Sequence, residues 1–149
     1  MQIPAVPPSE EMSHRARVRT RWSDEDNHGV LNNAVYLTLF EEARHSYFAS
    51  LDLLDGARFP FLLGQTNVVF LRPGRGAADV VVEVATVHIG RTSFAQAFRV
   101  REAESGAVWC EAVARMVSVD GAGAPLEIAA EFRSRVEELE AAARRGPVS

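Results

Sequence analysis

The spacing of apolar residues changes character twice along this chain, and the order of those changes restricts its fold more than any other feature. Residues 14–22 alternate with a period of two, one side being all arginine, which predicts a strand with one face in water. Apolar residues then recur every three to four positions from Asn32 or Asn33, either of which can cap a helix, to about Leu51. This second stretch predicts one long, mostly buried helix.

The second half of the chain returns to the two-residue spacing of strands. Short glycine-containing turns separate these segments, which is typical of an antiparallel meander. The predicted strands cover residues 67–71, 79–88, 92–101 and 107–118. A final helix is predicted from near Pro125, a favourable first helical residue, to a stop at Gly146.

The order strand, long helix, four strands and helix indicates an α+β fold, in which a five-stranded antiparallel sheet wraps around one long helix and an extra helix follows at the C-terminal end. We expect a flexible N-terminal arm over residues 1–13, which hold three prolines, a single domain over residues 14–145, and a tail over residues 146–149. Such a sheet has an open edge. The valine-rich strand at 79–88 and its neighbours make that edge prone to pairing with a second copy.

Composition argues against several classes of protein. A net charge of −4 does not suit general nucleic-acid binding. All 16 basic residues are arginine, so no lysine is present to form a Schiff base, and pyridoxal phosphate is not an expected cofactor. One cysteine cannot form an intrachain disulfide or a four-cysteine metal site. No apolar run suits a membrane helix and no secretory signal is visible, so we expect a cytoplasmic protein without membrane contact.

The densest polar stretch, DEDNHG at residues 24–29, joins the first strand to the long helix. Its far end leads into the helix N-terminus, where free backbone N–H groups and the helix dipole can stabilise a developing oxyanion. A carboxylate held a few residues upstream can attack a carbonyl bound there, or can activate water to do so. Asp24 and Asp26 are the candidates for this role.

Other interpretations of this stretch stay open. Asp24 and Asp26 can simply shape a turn and cap the helix. They can also bind a transition metal together with His28, although no fourth ligand is suggested nearby. The spacing D-x-D-x-x-G is also that of an EF-hand loop, but a calcium loop needs glutamate at its twelfth position, where this chain has Val35.

Residues 24–44, DEDNHGVLNNAVYLTLFEEAR, resemble the motif of 4-hydroxybenzoyl-CoA thioesterase-like proteins, roughly D-x-D-x-x-G-H-V-N-N-x-x-Y-x-x-x-F-E-x-A-R. The similarity continues through LRPGRGAADVVVEV, HIGRTSF and VDGAGAPLEI, and it spans residues 15–135. These proteins have the hotdog fold, whose strand order matches the one predicted here. The matching motif positions are Asp24, Asp26, Gly29, Asn32, Asn33, Tyr36, Phe40, Glu41, Ala43 and Arg44.

The resemblance implies roles for individual residues of this motif. Asp26 matches the catalytic carboxylate, and Asn33 matches the position whose backbone N–H polarises the thioester carbonyl. Gly29 lets the loop pass close to the substrate. Val30 borders the same site and stands where many members have histidine, which argues against a catalytic histidine in this chain.

The resemblance also implies contacts from a second region. Thr92 and Ser93 match a strand-start position that, in this family, often lies near the thioester from the partner subunit. Arg91, like Arg72 and Arg75, lies in a predicted turn and can meet the phosphates of coenzyme A, since guanidinium groups suit phosphate.

The acyl group is expected to be aromatic or of medium length, because Tyr36 and the loop at residues 59–63 supply apolar and aromatic surface. That loop can equally belong to the core. Glu41 fits the spacing of a mid-helix carboxylate used by a second class of hotdog enzymes. Alternatively, it pairs with Arg44 or His45 along the helix.

The resemblance therefore implies an acyl-CoA thioesterase, a hydrolase that acts on an acyl-CoA substrate without a metal or redox cofactor, as a homodimer or homotetramer. Asp26 serves in it as nucleophile, through a mixed anhydride, or as general base. Two alternatives remain: a non-catalytic acyl-CoA or acyl-carrier binding module, and a hotdog dehydratase. The dehydratases generally use a histidine, and Val30 and Asn33 occupy the positions where one is sought.

Overall fold

A computed structural model describes residues 5–54, 56 and 58–146. Within them the chain forms five strands and two long helices. These are β1 (His14–Arg19), α1 (Val35–Ser50), β2 (Phe61–Phe70), β3 (Asp79–Ile89), β4 (Ser93–Glu102), β5 (Val108–Ser118) and α2 (Ala130–Arg145). Two short 3₁₀ turns, Ser9–Glu11 and Trp22–Asp24, flank β1.

All five strands join one antiparallel sheet in the order β1-β3-β4-β5-β2. The main core lies between α1 and one face of this sheet, and alternate strand residues point into it, as the two-residue period predicts. The central strands contribute Val80, Val82, Val84, Phe94, Phe98, Val100, Cys110, Ala112, Ala114 and Met116. The predicted α+β arrangement of one long helix against a five-stranded antiparallel sheet is confirmed.

The two edges of the sheet are β1 and β2, which corrects the prediction that the valine-rich strand leaves an open edge. That strand, β3, lies inside the sheet because β1 and β4 pair with its two sides. The edge with exposed apolar side chains is β2, where Val69 is 59% exposed and Phe70 is 46% exposed. Any pairing with a second copy is therefore expected along β2.

The β2 strand is longer than predicted, since it begins at Phe61 rather than at residue 67. The first half was predicted as a loop, because Gly64 follows Gly56 and Pro60 and such spaced glycines and prolines are typical of loops. In the fold the pairing with β5 shifts register between Leu63 and Gln65, which is a bulge that takes up the glycine. Residues 61–63 of the predicted loop are therefore the start of an edge strand.

The second helix begins at Ala130, later than the predicted start near Pro125. Pro125 instead bridges to Val119, and the Leu126 N–H donates to the Ser118 carbonyl at 2.9 Å. These bonds keep the segment before the helix extended. Neither helix in the described part of the chain is both long and apolar enough to cross a membrane.

A buried carboxylate fastens α2 to the rest of the domain. Glu140 is 5% exposed, and its Oε1 accepts hydrogen bonds from Tyr47 Oη at 2.6 Å, Ser13 Oγ at 2.6 Å and the Thr86 backbone N–H at 2.9 Å. One side chain thus joins α2 to α1, to β3 and to the residue preceding β1.

The segment before β1 packs on the sheet. Met12 is 2% exposed and joins Ala85 and Ala97 in a second apolar cluster. Ser9 Oγ donates to Glu83 Oε1 at 3.0 Å. The expectation of a loose arm does not describe residues 9–13, because these contacts anchor them; residues 1–4 and 147–149 lie outside the described residues.

Candidate active site

The two aspartates of the loop between β1 and α1 have different surroundings. Asp24 is buried, and its oxygens accept hydrogen bonds from Arg21, at 2.8 Å from the backbone N–H and at 2.9 Å from Nη2. Burial acts to raise the pKa of this carboxyl, but the hydrogen bonds and charge of Arg21 outweigh it and hold the pKa below its usual value. Asp24 therefore shapes the turn, and both of its oxygens are occupied.

Asp26 is only partly buried, and one of its two oxygens is engaged. Oδ1 accepts hydrogen bonds from the backbone N–H groups of His28 at 2.8 Å and Val30 at 3.4 Å, which fixes the side chain in an Asx turn. Gly29 completes this turn with a φ of 76°, a conformation that favours glycine. Across the described residues, Oδ2 of Asp26 meets no hydrogen-bond donor. This oxygen can therefore meet a substrate or a water molecule.

The helix α1 has Ala34 as its N-cap and no side-chain cap, so the predicted cap by Asn32 or Asn33 is wrong, and Asn32 forms the turn before the helix. Its Oδ1 accepts from the Ala34 N–H at 3.0 Å, and its own N–H donates to the Asp24 carbonyl at 2.9 Å. Asn33 is exposed, and its backbone N–H has no acceptor in the described part of the chain. That N–H lies at the positive end of the helix dipole, so it can stabilise a negatively charged oxygen.

The loop between β2 and β3 holds the Asp26 loop in place. The Gly74 carbonyl accepts from the Leu31 N–H at 2.9 Å, and the Gly76 N–H donates to Glu25 Oε2 at 2.9 Å. A methyl group on Gly76 would lie 2.4 Å from the Arg21 carbonyl oxygen. The absence of a side chain at this position is therefore what allows the two loops to meet.

A groove of about 280 Å³ opens between α1 and β2. Its walls are mainly apolar and include Leu37, Phe40, Phe61, Leu63 and Met116. Four polar side chains also line it: Thr38, Glu41, Arg44 and Thr66. The groove begins at the first turn of α1, so an acyl chain whose carbonyl is bound at the helix N-terminus can enter it.

Comparison with known proteins decides the family. A family model described as the thioesterase-like superfamily matches residues 20–137, from the end of β1 into α2. The chain belongs to the thioesterase-like superfamily. A crystal structure of a thioesterase from Thermus thermophilus, complexed with coenzyme A and Zn, is 32% identical with a TM-score of 0.79, and the match covers 89% of this chain and 98% of that one.

More distant members of the fold share the same architecture. A 1,4-dihydroxy-2-naphthoyl-CoA thioesterase from Synechocystis is 16% identical with a TM-score of 0.76, over 85% of this chain and 97% of that one. The PA5185 protein from Pseudomonas aeruginosa is 20% identical with a TM-score of 0.79, over 88% and 94%. Membership of the thioesterase-like superfamily makes the chain a thioester hydrolase of the hotdog fold, so the predicted fold and enzyme class are confirmed.

Two residues of the superfamily motif lie differently from what the sequence suggested. Tyr36 is 1% exposed, and its ring packs edge-on against Phe70 with the centroids 5.3 Å apart. Burial raises its pKa to about 12. The Tyr36 hydroxyl lies against Gly74, and Tyr36 is not among the residues that line the groove. Glu41 does lie at the groove, but its expected ion pair with Arg44 does not form. Within the described residues, no carboxylate oxygen lies within 4.0 Å of the Arg44 guanidinium, and Arg44 Nε lacks a hydrogen-bond partner.

Three predicted substrate contacts sit at the other end of the sheet, namely Arg91, Thr92 and Ser93. The strand β3, with 11 residues, separates the two ends by roughly 33 Å. Its first residue, Asp79, pairs with Arg19 just before the Asp26 loop, and its last residue leads into the turn that contains the three contacts. A single chain therefore does not bring these residues to Asp26.

Sequence reasoning missed the residues that position the site. Glu25, Gly74 and Gly76 make the contacts between the two loops, although the R-P-G-R-G sequence offered a signal in its two closely spaced glycines. The metal interpretation finds no support in the geometry, since Asp24 is bound by Arg21. Among the described residues, no group of three or more His, Cys, Asp or Glu side chains is arranged to hold a metal ion.

Proposed function

We propose that this protein hydrolyses acyl-CoA thioesters and that Asp26 is its reacting carboxylate. The observation that supports this assignment is the free Oδ2 of Asp26, in a loop that is hydrogen-bonded to the β2–β3 loop and leads to the unused N–H of Asn33 at the start of α1. A carboxylate oxygen and an oxyanion donor at one helix N-terminus are the two groups that acyl transfer requires.

The thioester carbonyl oxygen accepts a hydrogen bond from the Asn33 N–H. As the carbonyl carbon becomes tetrahedral, negative charge grows on that oxygen and the interaction strengthens, which is the source of rate acceleration. Asp26 Oδ2 either attacks this carbon, giving a mixed anhydride that water then hydrolyses, or removes a proton from an attacking water. In both routes the C–S bond breaks, coenzyme A leaves as its thiolate, and a carboxylic acid forms. Gly29 and Val30 border the thioester beside Asp26.

The acyl group occupies the groove along α1, which suits an aromatic or medium-length chain because its walls are apolar. Coenzyme A phosphates meet Arg91, which is exposed. Arg75 is a weaker candidate, since its Nε already pairs with Glu102 Oε2 at 3.2 Å. Arg72 likewise donates to the Val108 carbonyl at 3.2 Å.

The active unit is a homodimer that joins two sheets along β2, and two dimers can pair into a homotetramer. Exposed apolar side chains on this edge, among them Leu62 and Val69, are an association surface. A second copy also removes the separation of about 33 Å between Asp26 and Thr92, because each site then draws Thr92 and Ser93 from its partner.

The carboxylate assignment is tested by assaying Asp26→Ala, Asp24→Ala and Glu41→Ala on one acyl-CoA substrate. We expect Asp26→Ala to lower kcat by about 10²–10⁴-fold with little change in thermal stability, because general-base or nucleophilic groups contribute that much and the side chain is partly exposed. Asp24→Ala should mainly lower stability, since it removes the buried acceptor for the Arg21 backbone N–H. Full activity in Asp26→Ala together with an inactive Glu41→Ala would move the catalytic role to Glu41.

The dimer is tested by sedimentation equilibrium from nanomolar to micromolar protein with activity measured in parallel. Val69→Asp places two like charges on the proposed edge contact and should shift the protein towards a monomer with lower activity. Leu126→Asp is the matched control, because Leu126 is 49% exposed and lies outside β2. A fully active monomer of 16.3 kDa contradicts the shared site.

A further inference from the structure

The groove between α1 and β2 contains buried polar atoms that have no partner. Arg44 is 6% exposed, yet its Nε has no hydrogen-bond partner. Thr66 Oγ1, on the opposite wall, is also buried without one. The terminal nitrogens of Arg44, Nη1 and Nη2, also make no hydrogen bond or ion pair within the described residues, and this side chain lines the groove. Because buried polar groups are nearly always hydrogen-bonded, these two nitrogens indicate a ligand with complementary atoms.

The surroundings of Arg44 narrow the chemistry of that ligand. Its guanidinium lies over the Phe98 ring, 5.3 Å from the centroid, which orients the group without satisfying its N–H donors. Burial lowers the pKa of Arg44 to about 10, and only the negative charge of Glu41 acts against this effect. Glu41 is exposed at the groove mouth, so its charge is screened by solvent. Arginine has five donors and no acceptor, and a carboxylate is the acceptor that fits its fork.

We propose that the groove binds the far end of the acyl group and that Arg44 recognises a carboxylate there. The preferred substrates are then ω-carboxyacyl thioesters, in which one end of a dicarboxylic acid is joined to coenzyme A. This inference rests on the proposed function, because it places the thioester at Asp26 and Asn33.

Helix geometry sets the length of that acyl chain. Arg44 follows Asn33 by eleven positions, which is about 16 Å along the axis at 1.5 Å per residue. Helical side chains point back towards the N-terminus, so the guanidinium reaches about a third of the way back, and roughly 10 Å remains. An extended chain advances about 3.6 Å per three bonds, so roughly eight carbons span this distance.

The test compares octanoyl-CoA with its ω-carboxylated counterpart, octanedioyl-CoA, in the wild-type protein and in variants. Arg44→Met keeps an unbranched side chain of similar volume and removes the charge, whereas Arg44→Lys keeps the charge without the fork. Arg17→Met, an exposed arginine of β1, is the matched control. The readout is the ratio of kcat/KM for the two substrates, from which a loss of folded protein cancels.

The wild-type protein and Arg17→Met should prefer octanedioyl-CoA by about tenfold or more in kcat/KM. Octanoyl-CoA has no carboxylate for Arg44, so its binding leaves the buried guanidinium donors unpaired, which costs free energy. Arg44→Met should bring this ratio to about one, with Arg44→Lys between them. A wild-type ratio near one, or a ratio unchanged in Arg44→Met, overturns the proposal. The proposal is also overturned if Arg44→Met weakens the dimer but keeps the ratio of kcat/KM for the two substrates. In that case a carboxylate of the second copy, and not of the substrate, pairs with Arg44.

Failure of the proposed function gives a different result. If neither thioester is hydrolysed, binding of non-hydrolysable thioether analogues with the same two chains is measured by calorimetry. Tighter binding of the carboxylated analogue by the wild-type protein, lost in Arg44→Met, supports the carboxylate site without any turnover. Equal binding of both analogues overturns it.

Discussion

The contact between the two loops at the active site can be tested by a single methyl group. Gly76→Ala adds a Cβ that would lie 2.4 Å from the Arg21 carbonyl oxygen and 3.0 Å from the Trp22 Cα, both backbone atoms. Because Cβ contacts below 3.0 Å are essentially not tolerated, the two loops must separate by at least about 0.6 Å. The hydrogen bond from the Gly76 N–H to Glu25 Oε2, at 2.9 Å, lengthens with them.

Overpacking of this kind costs about 1–3 kcal/mol, and the lower chain entropy of alanine in the unfolded state returns about 0.4–1 kcal/mol. The midpoints of these ranges leave a net loss of about 1.3 kcal/mol, which corresponds to a fall in Tm of roughly 3–5 °C for a chain of this size. The effect on activity should be larger, since a misplacement of about 1 Å can cost about 100-fold in rate. Differential scanning calorimetry gives the first quantity, and kcat/KM for one acyl-CoA gives the second.

Gly121→Ala is the matched control, because a Cβ at Gly121 meets no atom within 4 Å. Its stability should change by less than about 0.5 kcal/mol, with unchanged activity. The reasoning is refuted if Gly76→Ala equals this control in both Tm and kcat/KM, since the close approach of the loops then has no consequence for the Asp26 site.

Two further predictions concern the core. Glu140→Ala removes the acceptor for Tyr47, Ser13 and Thr86, and it should lower the free energy of unfolding by about 3–5 kcal/mol, measured by urea unfolding. Glu138→Ala, at an exposed position of the same helix, should change that free energy by less than about 0.5 kcal/mol. Equal effects of the two variants would show that the network does not hold α2. Cys110 is 0% exposed, and burial raises its pKa to about 12. The native protein at pH 8 should therefore not react with a disulfide reagent, whereas the unfolded protein should release one equivalent of the reagent's thiol. Rapid reaction of the native protein contradicts this burial.

Much of the fold could be predicted from the sequence, because apolar periodicity reports which face of each element is buried. The alternation that predicted β3, β4 and β5 is the same alternation that fills the core. The early part of β2 escaped prediction for a physical reason. Gly64 is accommodated by a bulge in a strand that pairs with β5, and this pairing depends on residues about fifty positions away.

The site could be predicted only where local sequence determines it. Asp26 and Gly29 are three residues apart, so one turn brings them together, and α1 begins six residues after Gly29. The contact from Gly76 to Glu25 joins positions 51 residues apart and has no local pattern. Arg44 illustrates the opposite error, because its spacing from Glu41 suggested a helix ion pair, whereas burial turns its guanidinium to the groove.

The most direct test of the central claim is the release of free thiol from a panel of acyl-CoA thioesters by the wild-type protein, from acetyl through medium-chain, ω-carboxylated and aromatic acyl groups. We predict turnover with kcat/KM of at least about 10⁴ M⁻¹s⁻¹ for a medium-length or aromatic member, a lower value for acetyl-CoA, and loss of turnover in Asp26→Asn. A folded, dimeric protein that binds acyl-CoA but releases no thiol above the Asp26→Asn background from any member of the panel would contradict the claim that it is a thioesterase acting through Asp26.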